Sequence, residues 1–328
     1  MVEAQTASST PAPTPVSPIS GGPGRPRFTE KASRSRRAYE GSIRLLCLAC
    51  ASFTVLVVFG ILGVLTREAI SFFQSPLVDV KEFFTGTEWT PTFANPKFGI
   101  LPLINGTLMI TVGAALLALP LGLLCAIYLS EYASPRKRAI FKPLLELLAG
   151  IPTVVYGYFA LFYITPGIRM VLPQTEVFNA LAGAIVVGIM ILPLVASLSE
   201  DALSSVPREL REGAYGLGST KREVTLKIVV PAGLSAVAAS FIIAISRAVG
   251  ETMAVTLASG QTPKMTVDPL VSIQTMTAFI VQISKGDTPA GSIGYLSIFA
   301  VGVTLFITTF LLNIIAARIV RRYRLVYQ

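Results

Sequence analysis

Two residues in "FIIAISRAVGETMAV", Arg247 and Glu251, have the types and spacing to act on a ligand. They fall about half-way along a long apolar run. A charge at the centre of a bilayer costs at least ~2.5–3.5 kcal/mol on insertion scales, so such residues point to function by default. At i and i+4 they are expected on one helix face, one turn apart. Arginine offers a planar fork of donors that matches an oxyanion in bidentate fashion. A neighbouring carboxylate repels a fully deprotonated anion, yet it accepts a hydrogen bond from one that keeps a proton. Hydrogenphosphate keeps a proton near neutral pH and sulfate does not, so the pair could favour phosphate. The competing reading is a self-neutralising structural pair. Against it, Arg before Glu is the poorer order within a helix, and Gly250 between them admits close approach. A third ionisable residue, Glu146, lies near the start of its apolar run, where it can reach water or Lys142; it reads as interfacial.

The second stretch with chemical potential is "REGAYGLGSTKREVTLKIVVP", residues 211–231. Gly213 and Gly218 have the separation of a phosphate-cradling loop. In such a loop the lysine follows the second glycine directly. Here Ser219 and Thr220 intervene before Lys221, and the preceding residues read as polar helix instead of strand. The stretch is therefore not a nucleotide site. Pro207 sets up a helix start, and "PRELREGAYGLG" predicts a short amphipathic helix ended by Gly218. A second helix is expected from "STKREVTLKIVV", opening on a Ser/Thr cap with Glu223 in its first turns. Two short helices joined at a glycine make a rigid knob.

The elements that must hold these residues follow from composition. Hydrophobic residues make up 52% of the 328 and charged ones 14%, well below the ~25% charged of a soluble domain. Six runs approach or exceed the ~20 apolar residues that a spanning helix needs: 43–65, 105–129, 143–165, 178–199, 233–258 and 296–317. They are helices because hydrocarbon offers no partner for an open sheet edge. Pro120, Pro152 and Pro193 are expected to kink them and not to break them. The opening segment 1–40, rich in Pro, Ser and Thr and then basic, reads as a disordered tail. Cys47, Cys50 and Cys125 lie in apolar runs and read as small buried hydrophobes. There is no histidine, so the commonest metal ligand is missing.

Most of the 27 Lys and Arg cluster in alternate connections. The tail has Arg25, Arg27, Lys31, Arg34, Arg36, Arg37 and Arg44; the second-to-third connection has Arg136, Lys137, Arg138 and Lys142. Arg208, Arg211, Lys221, Arg222 and Lys227 follow the fourth run, and Arg318, Arg321, Arg322 and Arg324 the sixth. By the positive-inside rule both termini are expected in the cytoplasm. The net charge of +9 is then topology, and no nucleic-acid partner is needed. Two outer connections, 67–104 and 259–295, are long enough to dock something outside. The second contains "LVSIQTMTAFIVQI", too short to span and suited to lying at the membrane interface.

The residues Glu212, Gly213, Ala214 and Gly218, followed by Ile228 and Pro231, resemble the cytoplasmic coupling loop of ABC importer permeases, EAA---G---------I-LP, here within about 200–232. Gly213 stands where Ala is usual, loosening the helix by ~1 kcal/mol, and Val230 where Leu is usual. "RAVGETMAV" (247–255) is similar to the RAxGETMAV signature of phosphate ABC transporter permeases of the PstC type, and "GIPTVVYG" (150–157) to their third-helix segment. The resemblance covers 43–328. It implies an all-α, six-helix type I permease, residues 41–328, in the bacterial inner membrane. Its implied partners are a second permease of PstA type, two cytoplasmic ATPase subunits and an extracytoplasmic phosphate-binding protein. ATP and Mg would be used by the ATPase, with no cofactor on this chain and no enzymatic activity of its own. Arg247 and Glu251 would line the path, while 211–231 would receive the ATPase stroke by alternating access.

Three alternatives stay open on the residues alone. One is a permease for another oxyanion, such as sulfate or molybdate. Another is an ion-coupled secondary transporter, which should show broken helices repeated in two halves; no such duplication is visible. A membrane-embedded phosphotransferase is the weakest, lacking a nucleophile with a partnered base.

Overall fold

A computed structural model of the chain describes residues 34–286 and 288–322. Of the expected tail, 1–33 lie outside the described residues, whereas 34–40 are helical. The apolar helix α1, Arg34–Phe73, reaches back into this basic segment because Arg, Ala and Glu are competent helix formers.

The chain divides into two compact units at Gly60 and Ile61. In the first, α1 presents a bare apolar surface, with Leu45, Leu46, Phe53, Leu56 and Phe59 all exposed. Cys47 and Cys50 are exposed there, and Cys125 is exposed in the second unit, which corrects the expectation that they are buried. An apolar run needs hydrocarbon around it and not protein, so hydropathy alone does not place a side chain in a protein core.

The second unit contains α2 (Val80–Thr85), α3 (Leu101–Ile127), α4 (Pro135–Ala149), α5 (Thr153–Phe159), α6 (Thr165–Val171), α7 (Ala180–Ser204), α8 (Arg208–Gly216), α9 (Lys221–Val224), α10 (Val230–Val249), α11 (Met253–Ala258), α12 (Met276–Lys285) and α13 (Ile293–Arg322). Three π-helical turns interrupt or extend them, at Tyr128–Tyr132, Ala160–Ile164 and Thr225–Val229. No strand occurs among the described residues. Six helical stretches are long and apolar enough to cross a membrane: Tyr39–Phe73, Leu101–Tyr132, Thr153–Val171, Ala180–Ser204, Lys221–Val249 and Ile293–Arg318.

The first span runs on to Phe73 past the expected 65 and the fifth opens at Lys221 ahead of the expected 233; two further boundaries differ in ways that bear on the reading. The third begins at Thr153 and not at 143, because α4 ends at Gly150 and Pro152 starts a new helix. Proline disfavours helical geometry in the residue before it. Pro120 and Pro193 do lie inside their helices, α3 and α7. Consequently Glu146 sits in the amphipathic α4, outside any span, and is exposed. The fifth ends at Val249, nine residues short of the expected 258, for a reason that bears directly on the site.

The centre of this unit is α3 against α7. Gly122 approaches α7 so closely that a Cβ there would meet Val195 Cγ1 at 2.6 Å and Val195 Cβ at 2.7 Å. Small residues at such contacts let membrane helices pack backbone to backbone. Ile110, Ala114, Ala118, Val187, Ile191 and Val195 fill the interface. A second core is aromatic: Phe72, Phe83, Trp89 and Phe98, from the first outer connection, meet Phe279 of α12. Trp89 and Phe279 lie edge to face, 5.0 Å apart at 89°. The stretch "LVSIQTMTAFIVQI" packs into this core. Its half in α12 buries Met276, Ala278, Phe279 and Ile283 inside the protein. A third core, Ala202, Leu203, Val206, Ala214, Val224 and Val229, lies under α8 and α9.

Candidate functional site

Arg247 stands in the last turn of α10, and the helix stops two residues later at Val249, with Gly250 as its cap. Glu251 is outside the helix. Its Oε1 accepts from Ala254 N at 3.1 Å, occupying the first turn of α11, and its backbone carbonyl accepts from Thr277 Oγ1 at 2.7 Å. The expected i, i+4 pair on one helix face is thus corrected: glycine ends one helix, and the carboxylate opens the next by satisfying an otherwise unpaired N–H. Arg247 is near the helix end in place of half-way along it.

The two side chains do not pair with each other. Arg247 is exposed and has no ion-pair or hydrogen-bond partner among the described residues. Glu251 is 8% exposed, and its second oxygen, Oε2, accepts no bond among the described residues. The break therefore presents a free guanidinium and one free carboxylate oxygen. Thr277, which holds the Glu251 carbonyl, is itself hydrogen-bonded to Thr275 at 3.0 Å. A fully satisfied buried network of this kind rigidifies its surroundings.

The second station is the knob, and its local structure follows the sequence closely. Helix α8 starts behind Pro207, and Gly218 turns the chain at φ 82°, a left-handed conformation that glycine adopts without penalty. Thr220 and Glu223 form a reciprocal capping box on α9. Glu212 and Gly213 face outward, as do Leu217, 90% exposed, and Tyr215. Ala214 is buried in the core beneath, Ile228 is half-buried in the π turn, and Pro231 lies in the first turn of α10. The outward face offers a carboxylate and apolar side chains, and the inward face anchors the knob.

That anchorage includes charges that sequence reasoning did not assign. Arg211, the residue before Glu212, donates to Val206 O at 2.5 Å, to Leu203 O at 2.8 Å and to Glu131 Oε1 at 3.1 Å. Glu200, in α7, is fully buried and is paired with Arg138 and with Lys142, the latter at 2.9 Å. Lys142 also pairs with Asp201. These bonds, to Asp201 first and then to Glu200, push the Lys142 ammonium above its ordinary value of 10.5. The one signal in the sequence was Glu200-Asp201 closing an apolar run while Arg138 and Lys142 flank another.

Six crossing helices, a broken fifth one and a two-helix knob before it define a helical transport permease. A family described as "binding-protein-dependent transport system inner membrane component" matches residues 118–325, and the chain belongs to that family. A probable ABC transporter permease protein YqgH of Bacillus subtilis is 34% identical over 85% of this chain and 90% of its own length. The phosphate transport system permease protein PstC of Mesorhizobium japonicum is 31% identical over 90% and 94%. Among solved structures, a bacterial alginate ABC transporter in complex with a periplasmic protein superposes with a TM-score of 0.59 at 14% identity, over 87% of this chain and 98% of the other. That last likeness establishes the fold alone. The protein is a multi-pass membrane permease.

Proposed function

We propose that the chain is the permease subunit of an ATP-driven importer of inorganic phosphate. It forms half of the translocation path beside a second permease of PstA type, receives phosphate from an extracytoplasmic binding protein, and is driven by two ATPase subunits that hold the knob. ATP and Mg belong to those ATPases; this chain binds no cofactor and hydrolyses nothing. The excess of Lys and Arg in alternate connections supports a topology with both termini and the knob in the cytoplasm of a bacterium and the helices in its inner membrane.

The observation that carries the reading is that the break inside the RAVGET stretch is flanked by an exposed Arg247 guanidinium and by a Glu251 whose Oε2 accepts no bond among the described residues. A donor fork and an acceptor at one break suit an oxyanion that still holds a proton. The names of the relatives supply independent support. Phosphate uptake into proteoliposomes that hold the full complex tests it. Arg247→Ala is expected to leave assembly intact and abolish uptake. Persistent uptake would make the arginine structural and leave only the ABC-permease assignment.

A further inference from the structure

The buried charges behind the knob form two groups that meet at the end of α7, where Arg211 also donates to the Leu203 carbonyl. Glu200 accepts from Ser204 Oγ at 2.8 Å, and Ser204 Oγ receives Arg138 Nη2 at 3.0 Å and lies 3.4 Å from Ser130 Oγ. Ser130 donates to Glu131 Oε1 at 3.0 Å, the same oxygen that receives Arg211. Four elements are tied together: α4, the end of α7, the π turn 128–132 and α8.

Stability does not account for this arrangement. The Glu200 side chain is 1% exposed and that of Glu131 6%. Buried ion pairs commonly cost as much in desolvation as they return, and well-packed apolar residues do as well or better. Three carboxylates, Glu131, Glu200 and Asp201, meet three cations, Arg138, Lys142 and Arg211, so the cluster is neutral. What it offers over an apolar contact is direction. Ala214, Val224 and Val229 press on Ala202, Leu203 and Val206, and such contacts are non-directional. Charge-assisted hydrogen bonds fix register. The π turn 225–229 joins the knob to the fifth span, the π turn 128–132 at the end of α3 carries the Glu131 that pairs with Arg211, and π turns recur at functional sites in helices.

We propose that Glu200 is a positioning residue for energy coupling: it locks α4 to the end of α7, which Arg211 in turn ties to the knob through the Leu203 and Val206 carbonyls. Displacement of the knob then moves these helices as one body. The inference rests on the importer reading above and adds a residue that belongs neither to the outward face of the knob nor to the break at Gly250.

The test uses the complete complex in proteoliposomes with phosphate-binding protein, measuring radiolabelled phosphate taken up per ATP hydrolysed. Glu200→Gln keeps the shape and removes the charge. The ratio is expected to fall about tenfold, the size of a typical coupling between sites, while basal ATP hydrolysis stays within about twofold. A merely structural defect lowers assembly, uptake and hydrolysis in parallel and leaves the ratio unchanged, which would overturn the proposal. Ser204→Ala removes a donor to Glu200 and an acceptor for Arg138, loosening the lock of α4 on α7 without stranding a charge, and is expected to lower the ratio in the same direction by a smaller factor. It decides the matter if Glu200→Gln does not assemble: a native ratio for Ser204→Ala then refutes the lock. If the unmutated complex moves no phosphate, the importer reading fails first.

Discussion

Glu251→Gln separates the two tasks of that side chain. Glutamine keeps an Oε1 that can accept from Ala254 N, now at 3.1 Å, so the start of α11 survives. What changes is the second position, where the free carboxylate oxygen becomes an NH₂ donor. Hydrogenphosphate loses an acceptor for its proton, whereas sulfate, with no proton to offer, gains a donor. A hydrogen bond to a charged group is worth about 1.5–3 kcal/mol, and each 1.4 kcal/mol is about tenfold. Preference for phosphate over sulfate is then expected to drop by a factor of roughly 10 to 150. The binding protein filters anions before they reach the permease, so the preference has to be read without it. Radiolabelled phosphate binding to the detergent-solubilised complex, with sulfate as competitor, reports it directly. Glu251→Ala is the control: it also removes the cap and should cost about 1 kcal/mol of stability, which Gln should not. If sulfate competes equally well against native and Glu251→Gln complexes while the native site prefers phosphate, the acceptor argument is wrong.

Gly122→Ala places a methyl 2.6 Å from Val195 Cγ1 and 2.7 Å from Val195 Cβ. The second of these atoms is fixed to the α7 backbone and cannot swing away, so overpacking of about 1–3 kcal/mol is expected. Thermal unfolding in detergent measures it, and native-like stability would mean that α3 and α7 separate more easily than their packing implies. The ion pairs of Lys142 carry a pH signature. Its ammonium is raised above 10.5, so its contribution to stability is complete below that value and is lost only as pH rises through the raised one. Lys142→Met should therefore lower the melting temperature equally at about pH 6 and about pH 9, with the gap narrowing only in stronger alkali. A gap that closes between those two values would show that some other group controls the cluster.

Much of the architecture was legible because it follows from two local rules. Long apolar runs must be helical, and Pro207, Gly218 and the Thr220–Glu223 box mark helix ends by their own backbone chemistry. The same rules explain two of the misplaced boundaries. Hydropathy counts apolar residues and so carried the fifth run through "RAVGETMAV" to 258. The break at Gly250 is set instead by Glu251 satisfying Ala254 N and by Thr277 holding the Glu251 carbonyl from a segment far along the chain. The second of these partners is tertiary, and a window sliding along one run cannot register it. The third run was started too early for a related reason: α4 has apolar residues on one face, and neither composition nor length separates an amphipathic surface helix from the start of a span.

The buried cluster was invisible on stronger grounds. Arg138, Lys142 and Arg211 were counted as topology, because a basic residue outside a span satisfies the positive-inside rule wherever its side chain points. Counting charges by connection discards the carboxylates at the adjoining helix ends. Glu200 and Glu131 each close an apolar run, where an acid ordinarily reaches water, yet here Glu200 is 0% exposed and is reached by cations from a different connection. Charge asymmetry thus does two physical jobs in the same residues. By the positive-inside rule such cations bias an inserting chain towards keeping their side in the cytoplasm; in the folded chain they neutralise acids that the packing of α4 against α7 would otherwise strand. Replacing Arg211 with lysine preserves the first job and not the second, because only arginine's fork spans Val206, Leu203 and Glu131 together.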